Sequence, residues 1–213
     1  AGFLAFSFNV HANGAAFIVG LAVCALAMRW PRLALPALLI AIAALIGFAP
    51  LIFLAVAGLA DEQLRAAIPL SWEWRLEIWE YALSRIGEQP VTGHGLGAAR
   101  VLTAESEIRG MRIELLPLHA HNAGLTIWLE TGLAGVILAA SGLFAIAVRL
   151  WQAPLRAPLC VMVCWVVAVW FTNIAVTYGV WQEWHHAALA FGIAMAVTAA
   201  RNPLPARNLR SPR

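Results

Sequence analysis

Five long stretches of apolar residues, separated by shorter polar segments, constrain this chain more than any other feature. A helix needs about 20 mainly apolar residues to cross a bilayer. At 62% hydrophobic and 12% charged residues, the 213-residue chain also departs from soluble domains, in which about a quarter of residues are charged. The sequence therefore predicts an all-α, polytopic transmembrane helix bundle of about five spans. We place these spans at 12–28, 33–59, 122–148, 157–180 and 185–200, with kinks expected at Pro36 and Pro50.

Basic and acidic residues fall on opposite sides of these predicted spans. Three short segments contain arginine and no acid. They are the link with Arg29 and Arg32, the link with Arg149 and Arg156, and the tail that starts at Arg201. Short arginine-rich segments stay on the cytoplasmic side. The N-terminus then lies outside, which implies further helices upstream in a longer protein. The predicted regions are transmembrane helices 1–2 in 1–59, an external loop in 60–121, helices 3–5 in 122–200 and a cytoplasmic tail in 201–213.

The external loop is too long for a simple connection, and loops of this length usually have a function. It contains an apolar stripe at helical spacing, next to a face that carries acids. An amphipathic helix is therefore predicted, lying on the outer membrane interface or against the bundle and ending at Gln89-Pro90. Arg75 flanks the stripe away from the acids, so its own helix neutralises it least. The stripe is Trp72, Leu76, Trp79, Leu83 and Ile86, and the acids are Glu73, Glu77 and Glu80.

Polar residues at the start of the third predicted span are candidates for chemistry. Asn122 is a good N-cap for this helix. His121 then lies at the water boundary near the positive end of the helix dipole, which favours a neutral imidazole able to accept a proton. His119 lies two residues before it. A histidine here is either a catalytic base or a hydrogen-bonded structural residue. Glu130 lies within the span and is expected to face inward, because a lipid-facing carboxylate is costly.

Glycines mark two further places. The run Gly93-His94-Gly95-Leu96-Gly97 is either a turn that contacts a substrate anion or a structural turn that uses the positive φ of glycine. It lacks the spacing of the known nucleotide-binding loops. In the third span, Gly132 and Gly135 predict a small-residue face for close packing of helices.

Other classes of function are less well supported. The 14 basic residues, all arginine, form no run with interleaved aromatics, so nucleic-acid binding is not expected. The alternative is a transporter or metal-handling membrane protein that uses Glu130, Glu183 and the histidines, including His185 and His186. Contiguous histidines point to different helix faces, so no metal site is predicted. Trp181 and Trp184 are expected at the outer interface as membrane anchors.

Four segments in order resemble the O-antigen ligase and polymerase superfamily. The resemblance covers 75–135, and its sharpest part is His121-Asn122, followed after nine residues by Gly132 and then by Gly135. The other segments are Arg75-Leu76-Glu77-Ile78-Trp79, Pro90-Val91-Thr92-Gly93-His94-Gly95-Leu96-Gly97 and Leu129-Glu130-Thr131.

This resemblance implies a multi-pass protein of the bacterial inner membrane, with the 60–121 loop in the periplasm and the C-terminus in the cytoplasm. It implies a metal-independent, inverting glycosyltransferase without cofactors. The donor is a glycan on undecaprenyl diphosphate, and the acceptor is lipid A-core or a second lipid-linked glycan, with membrane lipids around the site. His121 corresponds to the family's base and Arg75 to its diphosphate-binding arginine. The expected substrate-binding residues are Asn122, His119, Arg85, Gly93, Gly95, Gly97 and Glu130.

The chain departs from the family pattern at one place. Relatives usually have a Ser-Arg-Gly-like sequence at the outer end of the helix matching the first span, where this chain has Ala12-Asn13-Gly14-Ala15. His11 is a poor substitute for arginine, since imidazole is largely neutral near pH 7. Three readings follow: the substrate differs, the protein is an inactive scaffold, or another arginine supplies the charge. The candidates for that role are Arg85, Arg100, Arg109 and Arg112.

Overall fold

The computed structural model describes residues 11–202, and the predicted tail therefore lies outside the described residues from 203 onward. Helices dominate this part of the chain, as predicted. They are α1 (His11–Arg29), α2 (Ala34–Gly47), α3 (Ala49–Leu59), α4 (Glu62–Ala67), α5 (Leu70–Glu88), α6 (Ala123–Gln152), α7 (Ala157–Val176) and α8 (Glu183–Arg201).

Three of these helices, α1, α6 and α7, are long and apolar enough to cross a membrane. The predicted second span is a bent pair: α2 and α3 meet at an angle of 66° and together qualify as a fourth crossing. The bend falls at Phe48, and Pro50 lies in the first turn of α3, where its missing N–H costs no hydrogen bond. Pro36 lies in the first turn of α2 and produces no break.

The fifth predicted span forms helix α8, but α8 is not among the helices that meet this length and hydropathy requirement. Its first residues, Glu183 to His186, are polar or amphipathic, and only 187–197 is continuously apolar. The described chain thus provides three crossings, or four with the bent pair, where the sequence predicted about five.

The helices pack in pairs, with α1 against α7, α2 against α6, and α8 against α7. The two arginine-containing links lie together at one end of the bundle. The Cys160 thiol donates to the Pro31 carbonyl at 2.9 Å, and Arg32 and Pro154 line the same small cleft. The 60–121 segment separates α3 from α6 at their other ends. The basic links predicted on one side of the membrane are therefore neighbours.

Helix α5 confirms the predicted amphipathic helix and packs against α3 and α6. Three of the five predicted stripe residues are buried, namely Leu76, Trp79 and Ile86, together with Ile78 and Ala82. The other two, Trp72 and Leu83, are half-buried and pack against the same cluster. The acidic face is neutralised from outside the helix. Arg65 pairs with Glu77 and Glu80, and Arg109 pairs with Glu73 at 2.7 Å.

The loop also contains a β-hairpin that was not predicted. Strands β1 (Ala104–Ile108) and β2 (Met111–Leu115) are antiparallel, with Glu105 opposite Glu114. Arg109 and Gly110 form the turn, both at positive φ, as two-residue hairpin turns require. The side chain of Arg109 donates to three carbonyls near the end of α4, which ties the hairpin tip to that helix.

Helix α6 is interrupted at Gly132, which has φ 59° and ψ −162°. The segment 90–95 lies in this break, and a Cβ on Gly132 would come within 2.5 Å of the Val91 carbonyl. The prediction that Gly132 serves close packing between helices is therefore wrong, because its neighbour is loop backbone. Four backbone hydrogen bonds of 2.9 to 3.1 Å join the two segments: His94 to Leu129, Gly95 to Glu130, Leu133 to Pro90 and Ala134 to Val91.

Candidate functional site

Asn122 organises the entry to α6. Its Oδ1 accepts from the Leu125 N–H at 2.8 Å, which confirms the predicted N-cap. Its Nδ2 donates to the Ala175 carbonyl near the end of α7 at 2.7 Å. The buried Asn122 side chain thus fixes the start of α6 against α7 and sets the position of the residue before it.

His121 has the left-handed backbone conformation, with φ 50°, so its direction is imposed by its surroundings. Its Nδ1 lies 2.8 Å from the Thr177 carbonyl. A carbonyl only accepts, so Nδ1 carries the proton of the neutral ring and Nε2 carries the lone pair. Burial lowers the pKa of His121, with a further contribution from the Arg75 charge, against the opposing effect of the Thr177 bond. The ring is therefore neutral near pH 7 and has a basic nitrogen available.

His119 lies beside His121, with ring centroids 4.3 Å apart. Its Nδ1 accepts from the His121 backbone N–H at 3.1 Å, which leaves Nε2 of the neutral ring as a donor. Burial, reinforced by His121, lowers the pKa of His119 to about 4. Gly179 makes this packing possible, since a Cβ there would lie 2.9 Å from the His119 ring. The pair thus presents two neutral imidazoles with opposite proton positions.

Arg75 is the predicted site arginine, and its guanidinium lies over the Trp72 ring at 4.9 Å. It donates to the Ser71 carbonyl. Within residues 11–202 no carboxylate lies within 4.0 Å of it, in keeping with the prediction that it is poorly neutralised. Burial lowers the pKa of this guanidinium, so a bound anion would relieve the cost of its desolvation.

The other loop arginines differ in how far they are neutralised. Arg85 pairs with Glu88 at 2.7 Å, and Arg109 is occupied by Glu73 and by carbonyls. Arg112 is 86% exposed on the hairpin. Arg100 has no ion pair among the described residues and lines a cleft. Of the four candidates for the missing charge, Arg100 is thus the one with both an open location and an uncompensated charge.

This cleft has a volume of about 560 Å³ and lies beside the histidine pair. His119 lines it, whereas His121 and Arg75 do not. The remaining lining residues come from the loop, from α6 and from the segment before α8: Leu96, Gly97, Arg100, Leu118, Thr126, Glu130, Gly179, Trp181, Gln182 and Glu183.

Glu130 connects the walls of the cleft. It is only 3% exposed, which confirms the prediction that it faces inward. Its Oε2 accepts from the Gly97 N–H at 2.9 Å and from the Trp181 indole N–H at 2.7 Å. A single buried carboxylate oxygen thus holds the glycine-rich loop and the segment before α8 in place. Trp181 was predicted only as a membrane anchor, and its bond to Glu130 has no signal in the sequence.

The three predicted glycines have different surroundings. Gly93 is buried in the break of α6, at φ 66°, where a Cβ would meet Glu130 backbone at 2.5 Å. Gly95 donates its N–H to the Glu130 carbonyl, and Gly97 donates to the Glu130 carboxylate. These bonds favour the structural reading of Gly93 and Gly95, while Gly97 is the member that reaches the cleft.

The histidines and acids that the metal-handling hypothesis uses do not form one cluster among the described residues. Within residues 11–202, no three His, Cys, Asp or Glu side chains lie close enough together to hold a metal ion. His185 and His186 instead each donate from Nε2 to a backbone carbonyl, that of Trp170 at 3.2 Å and that of Val180 at 2.6 Å.

The chain is similar to known proteins over its first two thirds. Residues 11–140 match the family model described as O-antigen ligase, a longer stretch than the motifs at 75–135. A Rickettsia conorii protein named "Putative polysaccharide ligase" is 41% identical over 68 residues, which are 30% of this chain and 16% of that protein. A Rickettsia typhi protein of the same name is 37% identical over 68 residues, 17% of its length.

These aligned stretches span about one sixth of each curated relative. No solved structure matches the chain. The family match covers more than half of the chain and includes the His121-Asn122 motif, the helix break and most of the cleft. The chain therefore belongs to the O-antigen ligase family of multi-pass membrane proteins.

Proposed function

We propose that this protein transfers a glycan from an undecaprenyl-diphosphate-linked donor to an acceptor hydroxyl on the periplasmic face of the bacterial inner membrane. The acceptor is lipid A-core, or a second lipid-linked glycan if the product is a polymer. Family membership and the polysaccharide ligase names of the relatives support the reaction class. The positive-inside distribution of arginine supports the periplasmic placement of the 60–121 loop and a cytoplasmic C-terminus.

The orientation of His121 is the observation that carries the proposal. An acceptor hydroxyl must lose its proton as it attacks the anomeric carbon, and a positioned base contributes about 10²- to 10⁴-fold. The Thr177 carbonyl holds Nδ1–H, so Nε2 is the basic nitrogen. Within residues 11–202 no hydrogen bond is made by Nε2. His121 therefore acts as the base, and Asn122 positions it by anchoring the start of α6.

Arg75 binds the departing diphosphate. The leaving group keeps its negative charge, so it needs a permanent cation rather than a proton, and guanidinium provides a forked one. Arg75 has no carboxylate partner among the described residues and is close enough for its charge to lower the pKa of His121. Arg100 has no ion pair among the described residues and lines the cleft, so it contacts the glycan rather than the diphosphate. Arg85 keeps a secondary substrate-binding role.

The reaction inverts the anomeric carbon and uses no metal. A single displacement by the activated hydroxyl breaks the bond between the anomeric carbon and the diphosphate oxygen, and this step inverts the configuration. The proton passes to His121 and the electron pair stays on the diphosphate, whose charge Arg75 stabilises. Because both substrates carry lipids, the membrane confines them to one plane and aligns them.

Replacement of His121 in cells tests the proposal. His121→Ala and Arg75→Ala should each remove long surface glycan from lipid A on gels while lipid-linked intermediates accumulate. Accumulated polymer identifies a ligase, and capping with a single repeat identifies a polymerase. Arg112→Ala is the control for Arg75→Ala, because this arginine is 86% exposed on the hairpin, at 4.0 Å from Glu105, and its removal should leave the glycan unchanged.

Chelation separates this proposal from a metal-handling role. Transfer in purified membranes should survive EDTA. Loss with EDTA, together with a normal glycan in Arg75→Ala cells, supports the metal-handling alternative instead. A normal glycan in His121→Ala cells, with the variant protein present at its usual level, contradicts the enzymatic proposal and supports a scaffold.

A further inference from the structure

The cleft of about 560 Å³ beside His119 is separate from the proposed base and diphosphate-binding arginine, neither of which lines it. Its volume is within the range of roughly 300 to 1,000 Å³ found for sites that enclose small organic ligands. The walls combine apolar surface from Leu96, Leu118 and Trp181 with several polar side chains. We propose that this cleft is a saccharide-binding subsite, in which Trp181 provides the apolar face and Glu130 Oε1 accepts a sugar hydroxyl. This inference rests on the proposed function.

The charge of the cleft selects a sugar rather than a diphosphate. Two carboxylates, Glu130 and Glu183, line it against one guanidinium, that of Arg100. His119 is neutral, since its pKa is lowered to about 4. A region with excess negative charge repels a polyanion, whereas carboxylates and amides accept from the hydroxyls of an uncharged sugar. The lipid-linked pyrophosphate therefore belongs near Arg75, and the sugar belongs in the cleft.

Glu130 is pre-organised to accept such a hydroxyl. Both protein N–H groups that bind its carboxylate donate to Oε2. Oε1 accepts no hydrogen bond from residues 11–202 and lies on a residue that lines the cleft. The carboxylate thus has one oxygen fixed by Gly97 and Trp181 and one available to a ligand. Its geometry is set before the ligand arrives, which lowers the cost of binding.

Trp181 and Gln182 supply the other two elements of a sugar site. Trp181 is 48% exposed and lines the cleft, and its N–H is bound to Glu130, so the indole is held in place with part of its surface open. An anchor at the membrane surface would more simply direct this N–H to water or lipid headgroups. Gln182 also lines the cleft, and its side-chain amide is a further group that can bind a sugar hydroxyl.

The test measures saccharide binding directly, on the full-length protein in lipid nanodiscs, by saturation-transfer NMR. Two probes are used: the delipidated core oligosaccharide and the delipidated repeat-unit oligosaccharide of the host. Trp181→Leu should weaken binding about tenfold or more, because it removes a large apolar contact. Trp181→Phe, which keeps a ring, should weaken it less. Trp184→Leu is the matched control, because this tryptophan is similarly exposed at 53% but does not line the cleft.

Glu130→Gln examines the hydroxyl acceptor, and its expected effect is about ten- to a hundredfold, as for loss of a hydrogen bond to a charged group. If this variant does not fold, as judged by its thermal midpoint, Trp181→Leu decides the matter. Binding of the core sugar assigns the subsite to the acceptor, and binding of the repeat sugar assigns it to the glycan chain. Failure of both probes to bind the wild-type protein, or equal binding by Trp181→Leu and Trp184→Leu, overturns the proposal.

The His121→Ala variant separates this inference from the proposed function. It should abolish glycan transfer and still bind the saccharide, because His121 does not line the cleft. Transfer that persists in His121→Ala contradicts the proposed catalytic role, whatever the saccharide measurements show. Loss of saccharide binding in Trp181→Leu supports the subsite, whichever residue is the base.

Discussion

Alanine at Gly132 should destabilise the protein strongly, because this glycine holds the break in α6. Its φ of 59° and ψ of −162° belong to a region that only glycine populates readily. A Cβ at this position would lie 2.5 Å from the Gly93 nitrogen and from the Val91 carbonyl carbon and oxygen. These atoms are backbone, so they move only if the 90–95 segment moves with them.

The magnitude follows from two contributions. Backbone strain at such a conformation costs about 1–3 kcal/mol. Inserting a carbon into closely packed surroundings costs about 1–3 kcal/mol more. The expected loss of about 2–6 kcal/mol is a large part of the 5–15 kcal/mol that stabilises typical proteins. If the 90–95 segment is displaced instead, the four backbone hydrogen bonds that join it to α6 are lost.

The measurement is the free energy of unfolding in mixed micelles titrated with SDS, with the thermal midpoint as a second readout. Gly142→Ala is the matched control, since it lies in the same helix with nothing within 4 Å of its Cβ position. It should be neutral or stabilising by up to about 1 kcal/mol. A free energy of unfolding for Gly132→Ala within about 0.5 kcal/mol of the wild-type value, the usual range of a surface substitution, would refute this role of Gly132.

Three further predictions follow from the site and the loop. Asn122→Ala should lower the free energy of unfolding by about 1–2 kcal/mol, because the helix loses its N-cap. Asn122→Asp should restore the cap but not the hydrogen bond to the Ala175 carbonyl, and chemical unfolding of both variants checks this. Because burial lowers the pKa of His121 and the base must be neutral, kcat/KM for transfer should fall to half its maximum at a pH below the ordinary histidine value of about 6.5. A half-maximal rate at or above that value would contradict the role of burial. Arg109→Ala should loosen the hairpin tip from α4, and proteolysis near Gly110 should become faster, whereas Arg112→Ala should not change it.

The helical membrane fold was largely predictable from the sequence. Hydrophobic length and arginine placement depend on the bilayer, which acts on each segment independently of its neighbours. The stripe of α5 and the Asn122 cap are local patterns with periods of one helical turn, and both are present as predicted. Helix α8, the fifth predicted span, falls short of the length and hydropathy requirement because its polar start leaves a shorter apolar stretch.

The contact between Gly93 and Gly132 is a feature that local sequence patterns do not predict. Gly132 and Gly93 were assigned to helix packing and to a turn, and each was considered alone. In the structure the two residues meet, and a Cβ on either one would strike the other's segment. Nothing in the local pattern of either segment contains this information, because they are separated by about 40 residues and by an unpredicted hairpin.

The amino-acid order by itself determined that this is a multi-pass helical protein, and it predicted on which face the long loop lies and which histidine and arginine to test. Tertiary structure alone decided the tautomer of His121, through Thr177, and the joining of Gly97 and Trp181 by the Glu130 carboxylate. The physical reason is the separation along the chain over which each interaction acts. Hydropathy and helix capping act within a few residues, whereas proton placement and cleft shape depend on carbonyls and N–H groups that arrive from segments 30 to 60 residues away.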